Sequence, residues 1–195
     1  MYRSPDQNQR DEVKLILHEA LGDEYRNLSF SGLTTGTHSK TKDTGVTVRF
    51  KDNGISQEAV VNDGKGAVDG MYKALKKHYS HLSSIRNLTL KSIDVSFDLP
   101  NSKTGTDAMV KVSICFCNDK QCAYFTDTSY SFTRSSCECL LDGVEFFLNS
   151  ELAFKKIKTF IKDATERNRH DLVTKYQMQL ATIVNLNIAE YEEVE

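Results

Sequence analysis

Long apolar segments and an excess of one charge are both missing from this sequence. No run of about 18 apolar residues, enough to cross a bilayer as a helix, occurs among its 195 residues. The start, "MYRSPDQNQRDEVKLILHEAL", lacks the apolar core of a signal peptide. The 25 basic and 27 acidic side chains leave a formal net charge of −2, which creates no general attraction to nucleic acid or to an anionic membrane. We therefore expect a cytoplasmic protein with neither of these as a partner.

Catalytic and nucleotide-binding motifs are also missing. The five histidines are scattered, and none stands in a Ser/His/Asp or Cys/His pattern. The segment Gly64-Lys65-Gly66 forms neither a P-loop nor a dinucleotide-binding fingerprint. We predict no catalytic residue, no metal site and no cofactor, and keep a small enzyme of unknown reaction as a third alternative.

The cysteine count argues against a disulfide framework. Five cysteines, an odd number, without a signal peptide are typical of reduced thiols. The pairs Cys115/Cys117 and Cys137/Cys139 invite a zinc interpretation. However, residues two apart on a helix point in nearly opposite directions, so Cys137 and Cys139 are poorly placed to share one ion. We predict that the cysteines are reduced and mostly buried in the core.

The first half of the chain predicts one helix, three strands and a second helix. Residues 9–21 have the apolar spacing of an amphipathic helix, and Gly22 is its stop signal. Three strands and the next helix follow at 27–35, 45–50, 56–61 and 65–79. In the middle strand Val46, Val48 and Phe50 alternate with polar residues, which indicates one buried face.

The second half repeats this order. Strands are predicted at 88–99, 107–117 and 121–130, and a helix from about 133 to 149. A loop from Pro100 to Gly105 joins the first two strands, and a hairpin at Asn118-Asp119 joins the last two. The middle of the chain therefore predicts an internal repeat of two β-β-β-α units.

The predicted fold class is α+β, with an N-terminal helical segment, the paired units and a C-terminal helical appendage. The corresponding divisions are 1–26, 27–149 (units 27–80 and 88–149) and 150–195, where two apolar stripes indicate a helical hairpin bent near Asn168. A three-stranded sheet covered by one helix has a small, one-sided core, so self-association as a homodimer is expected.

The glycine-rich turn before the helix at 65–79 is the main candidate site. Gly64 and Gly66 permit positive φ and a close approach to the backbone. Val68, Met71 and Leu75 then recur at the spacing of one buried helical face. The exposed N–H groups at such a helix end suit a carboxylate or phosphate. The alternative is that Gly64-Lys65-Gly66 is only a tight strand-to-helix turn.

Three segments together resemble a known family. "GKGAVDGMYKAL" resembles the turn that opens a helix in the allosteric, dimer-forming C-terminal domain of 2-isopropylmalate synthase, where the pattern is Gly-x-Gly-Pro-Val-Asp-Ala. "LKSIDVSFDLPNSKTGTDAMVKVSI" resembles the second unit of that domain, and "CLLDGVEFFLNS" is similar to its closing helix. The resemblance covers roughly residues 27–149.

The resemblance implies a non-catalytic regulatory module. In the family, a two-fold dimer binds leucine, or isoleucine in related citramalate synthases, near the glycine turns and regulates a catalytic barrel that has no counterpart in these 195 residues. For this chain, the resemblance implies three partners: a second copy in a homodimer, an amino-acid effector and a separate synthase chain. The implied effector-binding residues are the first turn and its partner turn: Gly64, Lys65, Gly66, Ala67, Val68, Asp69, Ser129 and Ser131.

The second turn departs from the family pattern. Its usual glycine pair is replaced by Ser129 and Ser131, and the early aspartate of its helix falls at Ser135. Ala67 stands where the first turn normally has proline. A structural domain that kept the fold and the dimer but binds no ligand is therefore the alternative function.

Overall fold

The computed structural model describes residues 7–37, 43–99, 107–118 and 121–186, and confirms two β-β-β-α units. The N-terminal helix α1 spans Gln7–Leu21 and leads through a 3-10 turn, Gly22–Glu24, into the first unit. That unit consists of β1 Leu28–Thr37, β2 Thr44–Asp52, β3 Ile55–Gly64 and α2 Ala67–His78. After a short helix, α3 Ser83–Arg86, the second unit consists of β4 Thr89–Phe97, β5 Val110–Asn118, β6 Gln121–Ser129 and α4 Phe132–Glu166. Helix α5, His170–Leu186, follows.

Each unit has its own antiparallel sheet, in the orders β1-β2-β3 and β4-β5-β6. Val46, Val48 and Phe50 are buried on one face of β2, as the alternation predicts. Each sheet also has a register shift near the start of its first strand, between Phe30 and Gly32 in β1 and between Leu90 and Ser92 in β4. Equivalent irregularities at equivalent places support the internal repeat. The predicted loop Pro100–Gly105 and hairpin residue Asp119 lie outside the described residues.

Helix α4 is much longer than predicted. It was expected to end at Asn149, but it continues without a break to Glu166. The Asn149 side chain does not stop the helix, because it bonds Arg26 instead: its Oδ1 accepts from Arg26 N at 2.8 Å and its Nδ2 donates to Arg26 O at 2.8 Å. The bend predicted near Asn168 is confirmed, since that residue has φ 55° between α4 and α5. The division of the chain at 149/150 stays a prediction and falls within this helix.

One core joins both units and the flanking helices. Leu17 of α1, Met71 of α2, Ile114 of β5 and Ile157 of α4 belong to a single buried cluster, and Ile183 of α5 reaches it too. The apolar face predicted for α2 is confirmed for Met71 and Leu75, which are fully buried, while Val68 at the start of the helix is half-buried.

The prediction that every cysteine is reduced is wrong for two of them. Cys117 and Cys122 face each other across β5 and β6 and form a disulfide. The hairpin register, which the cysteine count does not reveal, places these two side chains opposite each other. The predicted burial is confirmed for all five cysteines, and Cys115, Cys137 and Cys139 are free thiols.

Helix α4 also buries a carboxylate. Glu151 is 1% exposed, accepts from Ser84 N at 2.9 Å and pairs with Lys155 Nζ at 2.6 Å. Burial acts to raise the pKa of Glu151, but the hydrogen bonds from Lys155 and Ser84 outweigh it, and the pKa is lowered. Glu151 therefore stabilises the fold above the unfolded-state pKa of about 4.3, and this contribution is lost as the pH falls through the folded-state value.

Replacing Glu151 by glutamine is expected to lower the free energy of unfolding by about 1–3 kcal/mol near neutral pH, because the charged acceptor is lost. The difference from the wild type should shrink as the pH falls from neutral to about 3, since the wild-type carboxylate is progressively protonated. Urea unfolding at both pH values measures this. Glu58→Gln is the control: Glu58 pairs with Arg49 at the surface, and its loss should change the unfolding free energy by less than about 1 kcal/mol. An equal Glu151→Gln effect at both pH values would contradict the prediction.

Candidate functional site

The two glycines of the first turn have different structural roles. A Cβ on Gly64 would lie 2.7 Å from Gly70 Cα and 3.0 Å from Thr44 O, so Gly64 allows the end of β3 to cross α2 closely. Gly66 is the residue with positive φ, 126°, and a Cβ there would meet nothing within 4 Å. The open position at this turn is therefore beside Gly66 and not beside Gly64, which is buried.

Gly66 is the N-cap of α2 and supplies no capping side chain. Ala67 and Val68, the first two residues of the helix, are half-buried. Their N–H groups belong to the first turn, where an α-helix has no internal acceptor for them and where the positive end of its dipole lies. Gly66, Ala67 and Val68 therefore form a backbone surface that suits an anion.

Asp69 and Lys65 bind within their own turn. Asp69 Oδ2 accepts from Lys65 N at 2.7 Å and pairs with Lys73 Nζ at 3.0 Å, while Lys65 Nζ pairs with Asp43. Partial burial acts to raise the pKa of Asp69, but the Lys65 N–H and the Lys73 ammonium outweigh it, and the pKa is lowered. Asp69 is therefore an ionised group that holds the turn in place.

The second turn is closed by its own hydroxyl groups. Ser131 is the N-cap of α4, and its side chain accepts from Arg134 N at 3.3 Å. Ser129 Oγ accepts from Ser131 N at 3.1 Å and lies 2.8 Å from Ser135 Oγ. The two predicted serines therefore replace the glycine pair with a hydrogen-bonded turn.

The N-cap residues of α2 and α4 show which positions of the two repeats correspond. With Gly66 and Ser131 aligned as N-caps, Gly64 corresponds to Ser129 and Gly70 to Ser135. The sequence interpretation that placed the aspartate position at Ser135 is therefore wrong, because the third residue of α4, equivalent to Asp69, is Arg134. The close Gly64–Gly70 contact becomes a Ser129–Ser135 hydrogen bond, and the acidic position becomes basic.

The two helices meet near their N-terminal ends. Cys137 Sγ lies 3.1 Å from Met71 Sδ, and each residue is in the second turn of its helix. With a rise of about 1.5 Å per residue, each cap lies within about 9 Å of this contact along its own helix. The predicted residues therefore form two groups, one at the first turn and one at the second turn. The contact between α2 and α4 lies between these groups.

The family model that matches this chain is that of the LeuA allosteric (dimerisation) domain, over residues 8–148. The chain belongs to this family. The match begins within α1 and ends within α4, so it covers all six strands and α2. The family is a regulatory module and not the catalytic domain of an isopropylmalate synthase. No curated protein sequence matches the chain significantly. Among the described helices, none is long and apolar enough to cross a membrane.

An exposed apolar stripe on β4 was not recognised from the sequence. Ile93, Val95 and Phe97 are opposite Ile114, Val112 and Val110 of β5 and therefore share the sheet face that those buried residues occupy. Helix α4 packs over β5 and β6, but within the described residues no helix packs extensively over β4. The three side chains are consequently 37%, 41% and 57% exposed, and Leu99 beyond the strand is 59% exposed.

Sequence reasoning also missed the partners of the turn residues. Asp43 and Lys73 hold Lys65 and Asp69, and Arg134 occupies the position equivalent to Asp69. Lys73 was detectable, since it lies four residues after Asp69 on the same helix face. Asp43 was not, because it precedes a strand that meets the turn only in the folded sheet.

Proposed function

We propose that this chain is a regulatory module that forms a homodimer and binds a branched-chain amino acid, leucine or isoleucine, at the first turn. The observation that carries the proposal is the open N-terminus of α2 at Gly66, in a chain of an allosteric family. The bound effector acts on a synthase catalytic chain, and this chain performs no reaction itself.

The ligand is assigned by the groups at the turn. The N–H groups of Ala67 and Val68 bind the carboxylate. Both contacts of Asp69 use Oδ2, and we assign Oδ1 to the ligand's ammonium group. An apolar seam between two copies accommodates the branched side chain. Gly64 allows the close packing of the turn, and the Lys65 side chain shields the turn from solvent. Ser129 and Ser131 hold the equivalent turn of the second unit in one conformation.

The homodimer is supported by the exposed stripe on β4. A contiguous apolar face on an edge strand, in a family of dimerisation domains, is suited to a second copy of the same chain. Phe97, Val110 and Ser129 are aligned across the sheet, so the outer end of the stripe lies at the same end of the sheet as the second turn. Dimerisation through the stripe would therefore bring the second copy to the end of the sheet at which the second turn lies.

A structural dimer without an effector is the second candidate. It is favoured by the second turn, where Ser131 caps α4 and Arg134 replaces the acidic group. A site that requires both turns to accept a ligand would be lost here.

Replacing Ala67 by aspartate tests the effector site. A carboxylate at the first helical position favours the free helix by about 0.3–1 kcal/mol but competes with a bound carboxylate for the same N–H groups. We expect unchanged or slightly higher stability of the free protein, together with loss of stabilisation by the effector. For the wild type, leucine or isoleucine at about 100 times its dissociation constant should stabilise the fold by roughly 2.7 kcal/mol, which thermal unfolding measures.

Ala67→Asn is the matched control, because it has almost the same shape without the charge. It should retain most of the stabilisation by the amino acid. An Ala67→Asp protein that is stabilised as strongly as the wild type would place the site elsewhere. A wild type that responds to none of the twenty amino acids would favour the structural dimer.

A further inference from the structure

Three cysteines meet in the second sheet, at the end that lies away from the Ser129–Ser131 turn. Cys115 and Cys117 alternate along β5 and therefore share a face, and Cys122 is opposite Cys117 on β6. Their sulfur atoms all lie within 4.8 Å of one another, and Cys115 Sγ is 3.9 Å from Cys117 Sγ. The three residues are 1%, 7% and 7% exposed and form a buried cluster separate from the main core. In the part of the chain that the structure describes, no other three His, Cys, Asp or Glu ligand atoms are this close.

The disulfide leaves Cys115 as an adjacent free thiol. Direct cross-strand pairing favours the bond between Cys117 and Cys122, whereas Cys115 is two residues from Cys117 along the same strand. Tyr124, opposite Cys115 on β6, is exposed and hydrogen-bonds to it. Burial raises the pKa of the Cys115 thiol.

Reduction converts this cluster into three thiols. A dithiol reductant supplies two electrons and two protons, the bond between Cys117 and Cys122 breaks, and the reductant leaves as its own disulfide. Three sulfur donors then converge from two adjacent strands. Two thiolates on one tetrahedral zinc ion, with Zn–S bonds of about 2.3 Å, lie roughly 3.8 Å apart. The 3.9 Å separation of the Cys115 and Cys117 sulfur atoms, both on β5, matches this spacing.

We propose that Cys115, Cys117 and Cys122, once reduced, bind a thiophilic closed-shell metal ion, Zn²⁺ or Cu⁺. Thiolate sulfur is the ligand that both ions prefer. Each ligating thiol releases its proton to solvent as the ion binds. The disulfide is the form that excludes the ion, because it removes two of the three donors. The sequence predicted no metal site, because Cys137 and Cys139 diverge on a helix and zinc sites usually space paired cysteines by at least two residues. The pairing of β5 with β6, which brings Cys122 beside Cys115 and Cys117, was not considered.

Metal titration of the full chain in both redox forms tests the proposal. Dithiothreitol reduces the protein and is removed anaerobically by gel filtration, and Zn²⁺ or Cu⁺ is then titrated against a chromophoric chelator in separate arms. We expect about one ion per reduced chain in at least one arm, and at least 100-fold weaker binding by the oxidised chain. Co²⁺ added to the reduced chain should show thiolate-to-metal absorption. The arm that binds more tightly identifies the ion. Failure of both ions to bind the reduced chain would overturn the proposal.

A pair of cysteine variants locates the site. Cys115→Ser keeps the disulfide pair but should weaken binding by the reduced chain at least 100-fold. Cys139→Ala, which removes a buried thiol outside the cluster, should leave the affinity unchanged. Wild-type affinity in Cys115→Ser would refute the three-cysteine site. The comparison of reduced and oxidised wild type decides the question even if a variant does not fold.

Discussion

Replacing Val95 by aspartate is expected to convert the proposed homodimer into monomers. Val95 lies in the centre of the exposed stripe on β4, between Ile93 and Phe97. In a dimer that buries this stripe, the new carboxylate would lose its hydration without gaining a partner, at a cost of several kcal/mol. We expect the dissociation constant of the dimer to rise at least about 100-fold, which corresponds to roughly 2.8 kcal/mol. Sedimentation at micromolar concentration measures the change.

Ile55→Asp is the matched control for this variant. Ile55 is also an exposed apolar residue at 66%, but it begins β3, which belongs to the other sheet. This variant should remain dimeric. Because Val95 is exposed in the single chain, Val95→Asp should leave the monomer folded, with a circular dichroism spectrum like that of the wild type. A dimer that survives Val95→Asp would exclude β4 as the interface.

Replacing Phe116 by alanine is expected to lower the free energy of unfolding by about 3–5 kcal/mol, the range for truncating a buried phenylalanine. Phe116 is fully buried on β5 and links the two units. Its ring centroid lies 6.2 Å from that of Tyr72 on α2 and 5.8 Å from that of Phe125 on β6. Truncation would leave a cavity among β5, β6, α2 and α4. Urea unfolding at neutral pH measures the loss.

Gly143 of α4 supplies a matched test of this packing. A Cβ on Gly143 would lie 2.3 Å from Phe116 Cε2, so Gly143→Ala should destabilise the wild type by about 1–3 kcal/mol. Alanine normally stabilises a helix by about 1 kcal/mol relative to glycine, so the expected sign is reversed here. In the Phe116→Ala background the new methyl group has space, and Gly143→Ala should be neutral or stabilising. Additive effects of the two substitutions would contradict the contact.

Periodicity along the chain was sufficient to predict the secondary structure elements. Apolar residues alternate in β2 and recur every three or four residues in α2, and the buried residues of both elements agree with these patterns. These signals are local, because a strand or helix exposes one face in a fixed rhythm whatever packs against it. The sequence also predicted the glycine turn with its approximate boundaries and showed the family resemblance. Both depend on residues that are adjacent in sequence.

The end of a helix can be predicted from sequence only when residues next to that end determine it. Asn168 combines a positive φ with the end of α4, and the sequence predicted a bend there. Asn149 looked like a stop, but its amide bonds Arg26, which is 123 residues away in sequence, and the helix continues. The residues next to Asn149 do not reveal this, because its partner is distant in sequence.

The amino-acid sequence alone determined the repeated β-β-β-α order, the buried faces and the position of the glycine turn, all of which follow from neighbouring residues. Tertiary structure decided which glycine packs and which stays open, because only the crossing of β3 and α2 brings Gly70 against Gly64. It also decided that Cys115, Cys117 and Cys122 meet, since their proximity requires one strand register between β5 and β6. The stripe on β4 likewise depends on how far α4 extends across its sheet, a property of packing that no single segment encodes.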